Sequence, residues 1–183
     1  MYSQSLIGYL KIACCLFLLL TPLTSQANRL SAFSPAPVTG SVDLVLVEKS
    51  AKTLYLLDDG RVLRSYPIAL GKNPVGHKEK AGDGRTPEGR YILDWRNPDS
   101  RFYRSIHISY PNDRDLEQAK ATNSDPGEFI MIHGSPAWVP SAEWAKQWLN
   151  KEDWTEGCIA VTNDIMDEIW TLVADGTPIE IRP

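Results

Sequence analysis

Three runs, Val42-Asp43-Leu44-Val45-Leu46-Val47, Lys52-Thr53-Leu54-Tyr55-Leu56-Leu57 and Arg61-Val62-Leu63-Arg64-Ser65-Tyr66, lie close together and decide the fold class. Each is rich in β-branched and apolar residues, the composition of a pleated, half-buried strand. Asp58-Asp59-Gly60 separates the second from the third and reads as a hairpin turn, with Gly free to take a positive φ. Three short strands with tight connections predict an antiparallel meander, and with it a mainly β fold.

Upstream of the meander, residues 28–40 carry Ser31, Ser34, Pro35, Pro37 and Gly40 and read as a flexible leader. Further upstream, Lys11 precedes the apolar run Ile12-Ala13-Cys14-Cys15-Leu16-Phe17-Leu18-Leu19-Leu20, and Ser25 and Ala27 take the −3 and −1 places of a small-residue cleavage site. This order predicts a cleaved secretory signal peptide over residues 1–27, since the apolar run is short of the roughly 20 residues of a membrane span. The expected domain is then 41–183, one core's worth of a 183-residue chain that is 43% hydrophobic. Loss of Lys11 leaves 18 of the 19 basic residues against 23 acidic ones. No basic patch stands out, which argues against nucleic acid and anionic membrane as partners. Cys14 and Cys15 leave with the signal, so Cys158 is a lone thiol in an oxidising compartment, either a buried bystander or a working group.

Downstream, residues 71–84 are rich in Gly, Lys and Asp and read as a mobile loop with a solvent-exposed His77. Thr86-Pro87-Glu88-Gly89 is a turn, and a strand follows over 90–95. Residues 103–109 alternate with period two, placing Tyr103, Ser105, His107 and Ser109 on one face. Asn112 is positioned to cap a helix reaching about Ala121. Phe129-Ile130-Met131-Ile132 reads as a strand buried on both faces that delivers His133 at its end. A helix over 141–151 has Trp144 and Trp148 four apart as anchors to the body. The last helix starts at Asn163 with a stripe of Ile165, Ile169, Leu172 and Val173, and Ile179-Glu180-Ile181 is the final strand. Strands dominate, with about three peripheral helices.

The chemistry concentrates at His133-Gly134 and Trp154-Thr155-Glu156-Gly157-Cys158-Ile159-Ala160-Val161-Thr162-Asn163. A free thiol has a pKa near ~8.5 and needs a base to become nucleophilic at neutral pH. His133 supplies one, and can return the proton to a leaving amine. Glu152, Asp153 and Glu156 oppose a thiolate, so its ionisation rests mainly on His133, with modest help from the positive end of the helix at Asn163. Gly157 leaves room for a carbonyl, and the N–H groups of Gly157 and Cys158 form a candidate oxyanion hole. Thr155 braces the loop through its hydroxyl. His77, His107 and His133 lack the close i, i+2 or i, i+4 partners of metal sites, so no metal is expected.

These segments, with Thr86-Pro87-Glu88-Gly89-Arg90-Tyr91 and Ile108-Ser109-Tyr110-Pro111-Asn112-Asp113-Arg114, resemble the L,D-transpeptidases of the bacterial cell wall, the YkuD-type catalytic domain. The resemblance implies a β-sandwich or barrel with the cysteine on a loop. It implies Cys158 as nucleophile, His133 as base and the Gly134 carbonyl orienting the imidazole. It further implies peptidoglycan stem peptides as substrate, a thioester at Cys158, and resolution by a diaminopimelate amine or the lysine of a wall-anchored lipoprotein. No cofactor is implied, and the expected setting is the periplasm, as a monomer. Glu156 and Ala160 stand where the family often has His and Arg. The Gly-Cys-x-Ala-x-Thr-Asn form resembles a subgroup that includes an amidase, which leaves open a hydrolase, either amidase or L,D-carboxypeptidase, using the same thiol. A wall-binding module without catalysis is the third alternative. Candidate substrate contacts are Trp138 as a lid, Thr155 beside the thiol, His107 on the cleft face, and Arg114, whose guanidinium suits a carboxylate.

Overall fold

The computed structural model of the protein describes residues 41–139, 141–149 and 152–183. The expected signal peptide and leader lie outside the described residues, as does the side chain of Trp148.

The chain runs β1 (Leu44–Glu48), β2 (Thr53–Asp58), β3 (Arg61–Pro67), β4 (Gly89–Ser100), β5 (Tyr103–Ile108), α1 (Asp113–Ala121), β6 (Met131–His133), α2 (Ala142–Leu149), β7 (Ile159–Ala160), α3 (Asn163–Leu172) and β8 (Thr177–Arg182). The fold is mainly β with three helices, as the strand and turn signals imply. The eight strands form one sheet in the order β3-β2-β1-β8-β4-β5-β6-β7. The meander β1-β2-β3 is antiparallel throughout. Its turn at Asp59 and Gly60 has φ of 49° and 72°, the doubly positive pair of a hairpin turn matched to strand twist. Beyond β3, Ala69 exchanges backbone hydrogen bonds with Ala160 of β7 at 3.0 and 2.9 Å. The two outer strands of the sheet are thereby linked, and it curls toward a barrel.

Alternation along the strands sends one set of side chains inward. Leu54, Leu56, Leu93, Ile106, Ile108, Ile132, Ile159 and Ile179 are fully buried and share a core with Met166 and Ile169 of α3. Each such side chain contributes about 1.5–3 kcal/mol by leaving water. α1 is capped as Asn112 implies: the side chain accepts from Asp115 N–H, and the Asp115 carboxylate accepts from Asn112 N–H.

Several expectations are corrected. The strand expected from Phe129 starts at Met131, and Phe129 itself is 60% exposed with a left-handed φ of 61°. Ile130 and Ile132 face the core, so the run is one-sided rather than buried on both faces. β4 continues to Ser100, beyond the apolar part of its sequence, because the Arg96–Ser100 stretch pairs with β5 without burying any residue fully. Among the described side chains of α2, Ala145 and Leu149 are buried and anchor the helix, whereas Trp144 is 36% exposed against Trp138. His77 is not a free loop residue. Its Nδ1 accepts from Glu88 N–H at 3.0 Å, and its Nε2 lies 3.2 Å from Asp115 Oδ1, which ties the 71–88 loop to α1.

Candidate active site

Cys158 immediately precedes β7. The parallel register pairs Ile132 with Ile159 and His133 with Ala160, so Cys158 falls beside Met131. Side chains alternate across a strand. Ile132 and Ile159 therefore turn into the core, and Met131, His133 and Cys158 share the opposite face. Met131 N–H donates to Cys158 Sγ at 3.4 Å. Both His133 and Cys158 border a cavity of about 380 Å³, whose walls include Arg101, Phe102, Phe129, Trp154, Thr155 and Glu156.

The loop leading to the thiol has a defined bracing. Thr155 Oγ1 accepts from Gly157 N–H at 3.1 Å and donates to Cys158 O at 2.7 Å. Thr155 thus braces the loop and also lines the cavity. Because it occupies the Gly157 N–H, only the Cys158 N–H of the expected pair is left for an oxyanion. Gly157 has φ of 135°, and a Cβ there would sit 2.6 Å from Arg85 O, so no side chain fits. Gly134 is held just as closely, with the Asn163 side-chain oxygen 2.6 Å from where its Cβ would be. That oxygen accepts from Ser135 N–H at 2.8 Å and pins the end of β6 to α3.

His133 is 2% exposed. Its Nδ1 lies 2.8 Å from Gly134 O. A carbonyl only accepts, so Nδ1 carries the proton and Nε2 keeps a lone pair, the form a base requires. The ring clusters with Phe102 at 4.6 Å and Trp154 at 5.5 Å between centroids, and those two rings meet each other at 5.9 Å. Burial lowers its pKa to about 4, against the opposing pull of the Gly134 carbonyl. Burial raises the Cys158 pKa, with Met131 N–H and the Lys78 ammonium acting downward. Lys78 is itself buried and held by Asp83 at 2.9 Å. These directions favour a neutral thiol and a neutral imidazole at rest, not the resting thiolate that the sequence suggests. The proton then moves as the sulfur attacks.

The remaining sequence candidates are distributed differently. Arg114 is exposed in the first turn of α1 and does not border the cavity. Trp138 is 64% exposed, edge-on to Trp144, and is not part of the cavity wall either. His107 stacks on Trp95 and meets Phe129, one residue removed from the cavity. The start of α3 borders a neighbouring cavity with Ser135 and Ala145 and does not face the thiol. Glu156 lies on the rim, paired with Lys72 at 2.7 Å. Sequence reasoning missed Phe102, Arg101 and Lys78 altogether. Their signal is spatial, since hairpin geometry and a loop deliver them. Among the described residues no group of three or more His, Cys, Asp or Glu side chains is placed to hold a metal.

Comparison with known proteins identifies the family and the fold. Residues 43–181 match the family model of the L,D-transpeptidase catalytic domain, YkuD. The chain is 32% identical over 179 residues to the Escherichia coli K12 protein named "Putative L,D-transpeptidase YafK", covering 89% of this chain and 63% of that one. The helical cell shape determining protein Pgp2 from Campylobacter jejuni superposes with a TM-score of 0.57 at 26% identity, over 78% of this chain and 48% of Pgp2. An L,D-transpeptidase from Mycobacterium smegmatis shares the fold, with a TM-score of 0.52 at 20% identity over 79% of this chain and 60% of that one. The chain thus spans about three fifths of YafK and about half of Pgp2.

Proposed function

Because the chain belongs to the L,D-transpeptidase catalytic domain family, we propose that it is a cysteine acyltransferase acting on peptidoglycan stem peptides in the periplasm. Cys158 attacks the amide that follows the L-centre of diaminopimelate. As the S–C bond forms, His133 Nε2 takes the thiol proton, and the Cys158 N–H supports the oxyanion. Collapse of the adduct breaks the C–N bond, and the imidazolium returns its proton to the departing amine. A thioester remains on Cys158. A diaminopimelate amine, or the lysine amine of a wall-anchored lipoprotein, then attacks it and restores the thiol. The single observation that carries this reading is a tautomer-fixed, buried imidazole bordering the same cavity as the one cysteine among the described residues. The apolar segment 12–20 with its small-residue end supports export.

A second reading, hydrolysis of the same thioester, draws on Glu156. Its carboxylate is at the cavity rim, 69% exposed, where it can accept a proton from an attacking water. Incubation with tetrapeptide muropeptides and with stems ending in a lysine amide separates the two. Cross-linked products support transfer, and trimmed stems without new amides support hydrolysis. Either reading requires that Cys158→Ala abolish turnover, and that a carbapenem, or the donor itself, leave a covalent mass increment on Cys158. Turnover by the alanine variant equal to wild type would overturn both.

A further inference from the structure

The face that carries the thiol continues past its cavity. Pairing between β4 and β5 passes from Leu93 with Ile108 directly to Arg96 with Ile106. Asp94 and Trp95 therefore oppose His107 together, a β-bulge, which turns both side chains to one face. Both use the same imidazole. Asp94 Oδ1 lies 2.7 Å from His107 Nδ1, and the Trp95 ring stacks on His107 at 4.7 Å and 17°. Phe129 meets that imidazole at 6.4 Å between centroids, with the ring planes at 63°, and borders the cavity of Cys158. Trp95 is still 39% exposed and Phe129 60%. Neither ring fills the core, and Phe129 keeps its place in the left-handed region, which costs energy for a bulky residue. The result is an aromatic strip that begins at the active-site cavity and ends on a rigidly backed indole.

Its length has a chemical meaning. Cys158 lies beside Met131, Met131 pairs with His107, and His107 stacks under Trp95. Two strand spacings of about 4.8 Å and one ring stack put the indole roughly 14 Å from the thiol. In a stem peptide three residues separate the acylated carbonyl from the lactyl group of its sugar, roughly 10–11 Å when extended. The lactyl ether supplies the rest. A donor acylating Cys158 and laid across β6 and β5 therefore delivers its sugar to Trp95. The negative face of an indole suits the polarised C–H face of a hexosamine. The neighbouring Asp94 carboxylate, 39% exposed, offers an acceptor for a sugar hydroxyl.

We propose that Trp95, backed by His107 and continued by Phe129, binds the N-acetylhexosamine that carries the stem, so that glycan and peptide are taken as one donor. This rests on the acyl-enzyme reading of Cys158. The test compares donors that differ only in the disaccharide, as tetrapeptide stems and as stems ending in a lysine amide, with the full chain. Wild type prefers the sugar-bearing donor by roughly five- to tenfold in kcat/KM, the scale of one aromatic stacking contact. Trp95→Ala removes that preference and leaves the sugar-free donor unchanged, and Trp95→Phe retains part of it. The free disaccharide inhibits turnover of the sugar-bearing donor by wild type, a readout that needs no variant to fold. Absence of any preference in wild type, or equal losses on both donors in Trp95→Ala, overturns the platform alone. Failure of wild type to consume any of the donors overturns the reading of Cys158 and the platform with it.

Discussion

Acid destabilises this fold through His133 by an amount that follows from its burial. The imidazole is 2% exposed. Burial takes its pKa from 6.5 to about 4, with the bond to Gly134 O opposing. The folded value is the lower one, so the unfolded chain binds the proton first as pH falls. Stability is therefore intact above about pH 6.5, is lost between about pH 6.5 and 4, and levels off once both states are protonated. A gap of about 2.5 pH units at about 1.4 kcal/mol each amounts to about 3 kcal/mol. At pH 4.5 roughly 2.5 kcal/mol of it has gone. Asp83 does not confound that window. Burial raises its pKa, but the N–H groups of Arg85, Glu79 and Lys80 and the Lys78 ammonium outweigh this and bring it from 3.8 to about 2. Its stabilisation is present above pH 3.8 and disappears as the pH falls through about 2. Urea titrations of wild type and His133→Asn at pH 7 and pH 4.5 provide the measurement. With a slope of about 1–3 kcal/mol/M, the wild-type midpoint falls on the order of 1–2 M further than that of the variant. Equal acid shifts in the two proteins would refute the buried neutral imidazole, and with it the resting state from which the attack is derived.

Two substitutions address the loop before the thiol. Thr155→Val keeps the shape but leaves Gly157 N–H and Cys158 O without their partner. At about 1–3 kcal/mol for each orphaned group, carbapenem acylation slows roughly 10- to 100-fold and the melting temperature drops, with both recovered by Thr155→Ser; an unchanged acylation rate would remove Thr155 from the active loop. Gly157→Ala combines a φ of 135° with a Cβ 2.6 Å from Arg85 O. A cost of roughly 3 kcal/mol or more is expected, seen as a lowered urea midpoint and loss of acylation, and wild-type behaviour would contradict the loop geometry.

The parts of the fold legible in the sequence are those whose cause is local. Asp59-Gly60 declares its hairpin because only residues tolerant of positive φ fit that turn. Asn112 and Asp115 declare the start of α1 because a capping box is a four-residue device. Residue type and order single out His133 and Cys158, and the β6–β7 register brings both to one cavity. What depends on register or on loop closure was not. His77 has its partners eleven residues away at Glu88 and across the fold at Asp115, so its loop looked mobile. Arg114 and Trp138 have suitable chemistry, but the direction of α1 and of the segment before α2 takes them away from the thiol. Phe102 reaches His133 because β4 runs on through polar residues before it turns, a length that apolar patterning understates.

Ala160 joins these observations. By register it lies beside His133, and it is fully buried against Ala69 and Leu149 with Trp154 packed over them. A long charged side chain at this position has no space, and it would bring a charge into the same apolar layer. A small residue instead lets Trp154 approach the imidazole at a steep angle, and the indole also meets Phe102. The segment around α2 supplies Leu149 to that same contact, which gives the stretch between His133 and Cys158 a role in shaping the base. Removing water from around the ring is also what lowers its pKa. Thus the substitution that looks like a loss when the motif is read in one dimension becomes, in the folded chain, part of the dry packing around the imidazole.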